Sequence, residues 1–191
     1  TMSTTAIFVE LLIVGIETFI WLGFLVSSLF GVKWLSFIGF LFEKSSLTST
    51  ILFVGLAYVF GIVFDEISDT LIEPWANRIR NSTREEKDPE MWDMQAYVFS
   101  RSEETAVKLD YMRSRLRILR STIFNLILIV LFSLLFLWTT MIVPTSNKVN
   151  ITLFISIFGF SLLALVVFVY WRIAHAYWMR TRSLYKVLKE K

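Results

Sequence analysis

Two acidic residues interrupt an apolar stretch near the start of the chain. The segment "FVELLIVGIETFIWLGFLV", residues 8–26, is apolar enough to cross a bilayer, yet it contains Glu10 and Glu17. Because these residues are seven positions apart, a helix places both carboxyl groups on one face. A carboxylate inside a membrane costs about 2–4 kcal/mol unless it is protonated, paired or hydrated. The two glutamates are therefore the first candidate functional site.

Depth in the span limits what each glutamate can do. Glu10 lies about one turn from the membrane boundary and can reach the surface, whereas Glu17 lies near the middle. The sequence offers no basic residue at the depth of Glu17, so an ion pair is not expected there. Two interpretations stay open. Glu17 is a neutral acid hydrogen-bonded to Ser133 or Ser156 of another span, or it lines a hydrated path at the axis of a homo-oligomer.

A second group of charged residues is predicted at one edge of the membrane. Asp65 and Asp69 lie one turn apart at the end of an apolar segment. The basic residues expected at the same depth, on two later helices, are Arg113, Arg117, Arg120, Arg172 and His175. We expect an ion-pair network between the helices. It is either structural, with contacts to lipid phosphates, or a site for an anionic ligand.

An enzymatic role is the alternative interpretation of the same residues. Asp65 and Asp69 could hold a metal ion while the arginine stripe binds the phosphate of a lipid or nucleotide. The chain has no cysteine and one histidine, which excludes thiol nucleophiles, disulfides and the usual His-rich zinc sites. The sequence motifs of intramembrane proteases are also absent. We therefore expect no cofactor and no metal, and favour a protein that is not an enzyme.

Composition identifies the elements that must position these residues. With 191 residues, 55% of them hydrophobic, and a mean hydropathy of +0.63, the chain is predicted to be an all-α polytopic membrane protein. The four segments long enough to span a bilayer are residues 7–29, 48–65, 122–143 and 151–171. Residues 30–50 suit an interfacial helix, and residues 143–150 suit a tight turn.

The distribution of basic residues predicts the orientation of the spans. Ten of the 19 lysines and arginines fall in residues 66–121 and six in residues 172–191, against Lys33, Lys44 and Lys148 in the other loops. By the positive-inside rule, both termini and the long middle loop are cytoplasmic. We expect a multi-pass protein of the bacterial inner membrane.

The middle loop, residues 66–121, is predicted to be a helical insertion. The register of the second span continues as far as Pro74, and "DPEMW" from Asp88 indicates the next helix start. Ser100 and Glu103 match a capping box. The second, third and fourth helices are therefore expected to extend into a cytoplasmic helical layer.

This layer ends in a basic tail, residues 172–191, and includes aromatic side chains among acidic ones. Trp92, Tyr97 and Phe99 either pack on the extensions of the third and fourth helices or form a docking surface for a cytoplasmic protein. Direct binding of nucleic acid is not expected.

The overall plan of four spans with a charged cytoplasmic layer, carried by the spans and by residues 66–121, resembles a known group of proteins. It is similar to the small bacterial membrane subunits of antiphage defence systems, such as the membrane component of the Kiwa system. Colicin-type immunity proteins share the plan. The resemblance implies a cytoplasmic effector that docks on the polar layer.

Two functions follow as hypotheses. The leading one is a homo-oligomeric inner-membrane subunit, channel-like or sensor-like, that couples the membrane to a cytoplasmic partner, with Glu10 and Glu17 as pore or intramembrane acids. The alternative is a membrane-interface enzyme that acts on a phosphate-bearing lipid or nucleotide through Asp65, Asp69 and the arginines.

Overall fold

Five α-helices make up the described part of the chain. A computed structural model describes residues 4–33, 46–85, 88–140 and 143–189, and within these ranges no strand occurs. The helices are α1 (Thr4–Phe30), α2 (Ser46–Ser82), α3 (Met91–Arg101), α4 (Glu103–Thr139) and α5 (Thr145–Lys189). The predicted interfacial helix of residues 30–50 lies mostly outside the described residues.

Four of these helices are long and apolar enough to cross a membrane: α1, α2, α4 and α5. The last three contain 37, 37 and 45 residues. At 1.5 Å per residue they are about 55–68 Å long, roughly twice the thickness of a hydrocarbon core. The predicted extension of three helices beyond the spans is confirmed. We call α3, with residues 66–82, 103–121 and 172–189, the polar layer.

Helix α4 is the centre of the structure, because it contacts each of the other four helices. In the membrane, α1 packs against α2 and α4. Among the other apolar helices, α5 packs mainly on α4, and most of its apolar surface stays exposed. In the polar layer, α3 packs mainly against α5. The layer and the bundle are thus joined through α4, α5 and α2.

Pro74 does not end the second helix as the sequence predicted; α2 continues to Ser82. Proline removes one helical hydrogen bond and usually ends or kinks a helix. Here the residues after it are held by packing on α5. The ring of Trp75 lies 4.9 Å from that of Tyr170, and Ile79 is buried with Tyr170 and Ala174. Tertiary burial outweighs the local preference.

Other helix ends also differ from the predicted ones. Helix α3 begins after Glu90, without a side-chain cap, because the carboxylate of Asp88 is turned toward Arg182. Helix α4 is capped by Ser102, whose hydroxyl accepts from the Thr105 N–H at 3.4 Å, and not by Ser100. Ser100 cannot cap α4 because it lies inside α3, where its hydroxyl donates to the Tyr97 carbonyl at 2.8 Å.

The turn between the last two spans is shorter than predicted. The third span ends at Thr139, four residues before the expected end, and α5 begins at Thr145 instead of residue 151. Pro144 fits just before the first helical position, where no N–H is needed. Lys148 donates to the Thr140 carbonyl at 2.7 Å. Its ammonium group thus supplies a hydrogen-bond donor to a carbonyl group at the C-terminal end of α4.

Two glycines allow α1 and α2 to approach closely. A Cβ atom on Gly15 would overlap the Ala57 carbonyl oxygen, and one on Gly61 would overlap the Leu11 carbonyl oxygen. These contacts make α1 and α2 antiparallel and use the small residues Ala57 and Gly61 that are spaced by four.

Replacing either glycine should therefore separate the two helices. We expect Gly61→Ala to destabilise the protein by about 1–3 kcal/mol, the usual range for overpacking. Gly55→Ala is the matched control on the same helix, because nothing lies within 4 Å of its Cβ position. Thermal unfolding in detergent measures both. A loss at Gly55 as large as the loss at Gly61 would contradict the close approach.

The polar layer has its own core and an ionic clasp. Met94 and Val98 of α3 are fully buried against Leu109, Tyr177 and Trp178. Next to this core, Arg182 of α5 contacts two acids of the α2–α3 connection: it donates to Asp88 at 2.5 Å and pairs with Glu85. The clasp ties this connection to α5.

These contacts shift the pKa values of both acids. The hydrogen bond from Arg182 lowers the pKa of Glu85. Partial burial alone would raise the pKa of Asp88, but hydrogen bonds from Arg182 and from the Glu85 backbone N–H bring it below its ordinary value. Acids with a lowered pKa in the folded state stabilise it above their ordinary pKa of about 4, and this contribution disappears as the pH falls through the lowered value.

The clasp should therefore contribute at neutral pH and not in acid. We expect Arg182→Gln to lower the melting temperature at pH 7, with a difference from wild type that shrinks below about pH 4. Arg180→Gln, an exposed neighbour, should have little effect at any pH. A difference between wild type and Arg182→Gln that stays constant from pH 7 to pH 3 would show that the clasp is not ionic.

Candidate functional site

A line of polar side chains joins α1 to α4 inside the membrane bundle. Its centre is Asn125, which is fully buried. The Asn125 amide oxygen accepts from Trp21 at 3.0 Å and from Thr18 at 3.3 Å, and its amide nitrogen donates to the Val14 carbonyl at 3.3 Å. We call the residues of this line on α1 and α4 the polar seam.

Glu17 belongs to the polar seam. Its carboxyl oxygens accept from the Thr122 hydroxyl at 2.9 Å and from the Asn125 amide at 3.2 Å. The predicted hydrogen-bonded partners Ser133 and Ser156 are replaced by these two residues, which lie about three and two turns before Ser133 on α4. Within one copy of the chain, both carboxyl oxygens of Glu17 are thus engaged.

Glu10 lies at the end of the seam that meets the polar layer. It is 5% exposed, accepts a hydrogen bond from Ser114, and lies 3.5 Å from the guanidinium group of Arg117. Arg117 thus reaches toward the membrane to meet a buried carboxylate. Contrary to the prediction, Glu10 does not extend to the membrane surface. The guanidinium group of Arg117 extends to Glu10 instead.

Asp65 and Asp69 of α2 extend the network to a third helix. Asp65 accepts from Ser121 at 2.8 Å and lies 3.8 Å from Arg117 and 4.0 Å from Arg120. Asp69 pairs with Arg120. The expected ion pairs between the acids of α2 and the arginines of α4 are therefore present for two of the three arginines in the stripe.

A cavity of about 400 Å³ opens directly beyond this network, between the bundle and the polar layer. Helices α2, α3, α4 and α5 all contribute to its wall. Its charged residues are the acids Asp65, Glu66, Asp69 and Glu73 and the arginines Arg80, Arg113, Arg117 and Arg120. Four aromatic side chains also line it: Trp92, Tyr170, Tyr177 and Trp178.

Some charges in this cavity are paired and others are not. Arg117 and Arg120 contact the two aspartates, as described above. Arg80 lies over the ring of Trp92, 4.8 Å from its centre. Glu73 and Arg113 form no ion pair within 4.0 Å among the described residues, although both line the cavity. Glu66 also lines the cavity and is likewise in no ion pair among the described residues, so the cavity keeps two acids and one base for a ligand.

The structure does not bring Arg172 and His175 to this site. The cavity-lining residues of α5 recur at Tyr170, Ala174 and Tyr177, so helical periodicity turns Arg172 to the opposite face. His175 lies beside Trp171, with 5.8 Å between the ring centres. Depth along the helix correctly predicted that Arg117 and Arg120 lie at the site. It did not take into account the directions in which Arg172 and His175 point.

Two of the three predicted docking residues are packed inside the chain. The Tyr97 hydroxyl donates to the Leu188 carbonyl at 3.4 Å, and Phe99 packs against the core of the polar layer. Trp92 is half exposed, with its ring edge-to-face with Trp178. Only Trp92 of this set presents a large surface to the outside.

The chemistry available at the site is charge recognition. A carboxylate already bound to a guanidinium group attracts a divalent cation weakly, because the cation and the arginine repel each other. Asp65 and Asp69 are both in this position. Within the described ranges, no group of three His, Cys, Asp or Glu side chains is arranged to hold a metal ion.

Several residues of the site were missed by the sequence analysis. Ser114, Ser121 and Asn125 were missed; together with the predicted Arg117 they recur every three or four residues along α4, as a helical polar stripe running into an apolar segment. That stripe was a readable signal for the seam. Arg80 continues the α2 face of Asp69, Glu73 and Ala76, but the predicted end of α2 at Pro74 left it out. Gln95 on α3 gave no comparable signal.

Comparison with known proteins adds no relative: no protein-family model, curated protein or solved structure matches this chain.

Removing one member of the Glu10–Arg117 contact should leave the other charge without its partner. We expect Glu10→Ala to cost about 3–5 kcal/mol, as for buried pairs, and the double variant with Arg117→Ala to cost less than the sum of the single variants. The exposed pair Glu104–Lys108 is the control, with an expected coupling of about 0.5 kcal/mol or less. Additive losses at Glu10 and Arg117 would disprove their coupling.

Proposed function

We propose that the protein is a sensor subunit of the bacterial inner membrane, in which a ligand at the membrane surface binds the cavity and changes the polar layer that a cytoplasmic partner contacts. The observation that carries this proposal is the composition of the cavity wall. It combines α2 and α4, which cross the membrane, with α3, which belongs only to the polar layer. A ligand there touches both parts of the protein.

The orientation is part of the proposal and rests on charge. Sixteen of the 19 lysines and arginines lie in residues 66–121 and 172–191, which largely form the polar layer. Basic segments are retained on the cytoplasmic side of bacterial membranes, so the layer is accessible to a cytoplasmic partner. The half-exposed ring of Trp92 lies on α3 at the cavity, where a bound ligand and a partner could both contact it.

A channel is the second candidate, and the polar seam weighs against it. Both carboxyl oxygens of Glu17 accept hydrogen bonds within one chain. A pore-lining role would need this carboxyl group to leave those donors. The homo-oligomer stays a prediction, because the exposed apolar side chains of α5 suit lipid contact as well as contact with another copy. The enzyme alternative is weakened by the arginines that already bind Asp65 and Asp69.

The sensor proposal predicts that membrane lipids order α3 through the cavity. Amide hydrogen exchange of residues 91–101 should be slower in nanodiscs of bacterial inner-membrane lipid than in detergent, and Arg113→Gln should remove most of this difference. Arg115→Gln is the matched control on the same helix, because Arg115 does not line the cavity.

Exchange that is equally fast in detergent and nanodiscs would overturn the proposal. Ion flux across liposomes separates it from the channel: we expect no flux from wild-type protein. A flux whose ion selectivity changes with Glu17→Gln would replace the sensor with a channel.

A further inference from the structure

Two residues of opposite charge line the cavity without an ion pair among the described residues: Glu73 of α2 and Arg113 of α4. Asp65 is bonded to Ser121 and Asp69 to Arg120, which fixes α2 and α4 as antiparallel neighbours. One turn further along α2 lies Glu73, and one turn beyond Arg117 on α4, in the same direction, lies Arg113. They therefore lie at the same level along the two helices, and both line the cavity.

This arrangement disfavours a ligand that carries only positive or only negative charge. An anion drawn to Arg113 also meets the negative charge of Glu73, and a cation drawn to Glu73 also meets the positive charge of Arg113. A ligand with a negative and a positive group a few ångströms apart neutralises both walls at once. Electrostatic complementarity of this kind contributes specificity above all.

Gln95 indicates which kind of positive group the ligand carries. Its side chain lines the cavity and is 7% exposed, and its carbonyl oxygen Oε1 has no hydrogen-bond partner among the described residues. A buried acceptor without a donor is costly, so a ligand that donates hydrogen bonds is favoured here. The terminal torsion of glutamine is soft, so the carboxamide can rotate toward such a ligand.

A primary ammonium group donates three hydrogen bonds, whereas a quaternary ammonium group donates none. Quaternary groups are usually held by open aromatic faces. Here the ring of Trp92 already carries the guanidinium group of Arg80. The cavity therefore suits a primary ammonium group better than a choline-type group.

Arg113 and the position of the cavity indicate which kind of negative group the ligand carries. Guanidinium groups bind phosphate oxygens through paired hydrogen bonds. The cavity begins where the apolar spans end, at the level where lipid phosphates lie, and tryptophan and tyrosine side chains surround it as they do at membrane surfaces.

We propose that the cavity binds the headgroup of a phospholipid that carries a primary ammonium group, with the phosphate at Arg113 and the ammonium at Glu73 and Gln95. The inference rests on the proposed function, because it names the ligand of the same cavity. A sensor of this kind reports the headgroup composition of the membrane around it.

The test uses the full-length protein in nanodiscs of phosphatidylcholine, to which phosphatidylethanolamine or phosphatidylglycerol is added at equal mole fraction. Lipid retained on the protein is counted by native mass spectrometry, and exchange of residues 91–101 is measured in parallel. We expect phosphatidylethanolamine to be retained about tenfold better than the other two lipids and to slow exchange most.

Two variants separate the two charges. Arg113→Gln should weaken phosphatidylethanolamine binding about tenfold, and Glu73→Gln should also remove the discrimination against phosphatidylglycerol. Arg115→Gln and Asp93→Asn are charge-matched controls outside the cavity, and both should bind like wild type. Melting temperatures of all four variants confirm that they fold, because the replaced side chains are exposed.

Each other outcome is informative. Equal retention of all three lipids, with exchange still slowed through Arg113, overturns the headgroup assignment but leaves the sensor proposal standing. No lipid effect on exchange defeats both. Binding of soluble glycerophosphoethanolamine to the protein in detergent, as tight as that of the lipid, would show that the ligand is a soluble compound and not a membrane lipid.

Discussion

The structure depends on one constraint: the carboxyl groups of α1 must find hydrogen-bond donors where lipid offers none. Glu17 obtains them from Thr122 and Asn125, and Glu10 from Ser114, with Arg117 nearby. Because an unsatisfied polar group in hydrocarbon is expensive, these contacts fix both the rotation and the register of α1 on α4. The two helices run parallel, with the glutamates of α1 matched to the polar stripe of α4. Helix α2 then packs against α1 through Gly15 and Gly61.

The same constraint shapes the cavity. Arg117 and Arg120 are committed to Glu10, Asp65 and Asp69, and these contacts hold them at the inner end of the cavity. The next charged residues outward, Arg113 on α4 and Glu73 on α2, then have no partner left within reach among the described residues. The unpaired charges of Glu73 and Arg113 are thus a consequence of how the buried carboxylates are satisfied. The helices carry these residues outward because α2 and α4 continue unbroken beyond the spans.

Much of the architecture could be predicted from the sequence, because hydropathy and helical periodicity are local properties. The helical fold, four apolar helices and their extension beyond the membrane follow from them. Helix ends were less predictable. Pro74 was expected to stop α2, but packing of Trp75 and Ile79 on α5 overrides it. The pairing of Asp69 with Arg120 could be anticipated from depth and charge. Arg80 was missed because α2 was expected to stop at Pro74, and Gln95 because no local pattern encodes how α3 packs against the cavity.

The polar groups of this protein form two tiers, the polar seam as the inner tier and the cavity as the outer tier. The two differ in how much charge and hydrogen-bonding capacity is left unused. In the seam, the acceptor oxygens of Glu17 and Asn125 already have donors, so a change of protonation or of partner there would break contacts that hold α1 in place. Such a tier is suited to stability. In the cavity, Glu73, Arg113 and Gln95 keep unused charge or hydrogen-bonding capacity, and occupying it breaks no existing ion pair. A ligand can therefore bind the outer tier without disturbing the inner one. Because α3 reaches the outer tier and not the seam, α3 is the helix that such binding orders.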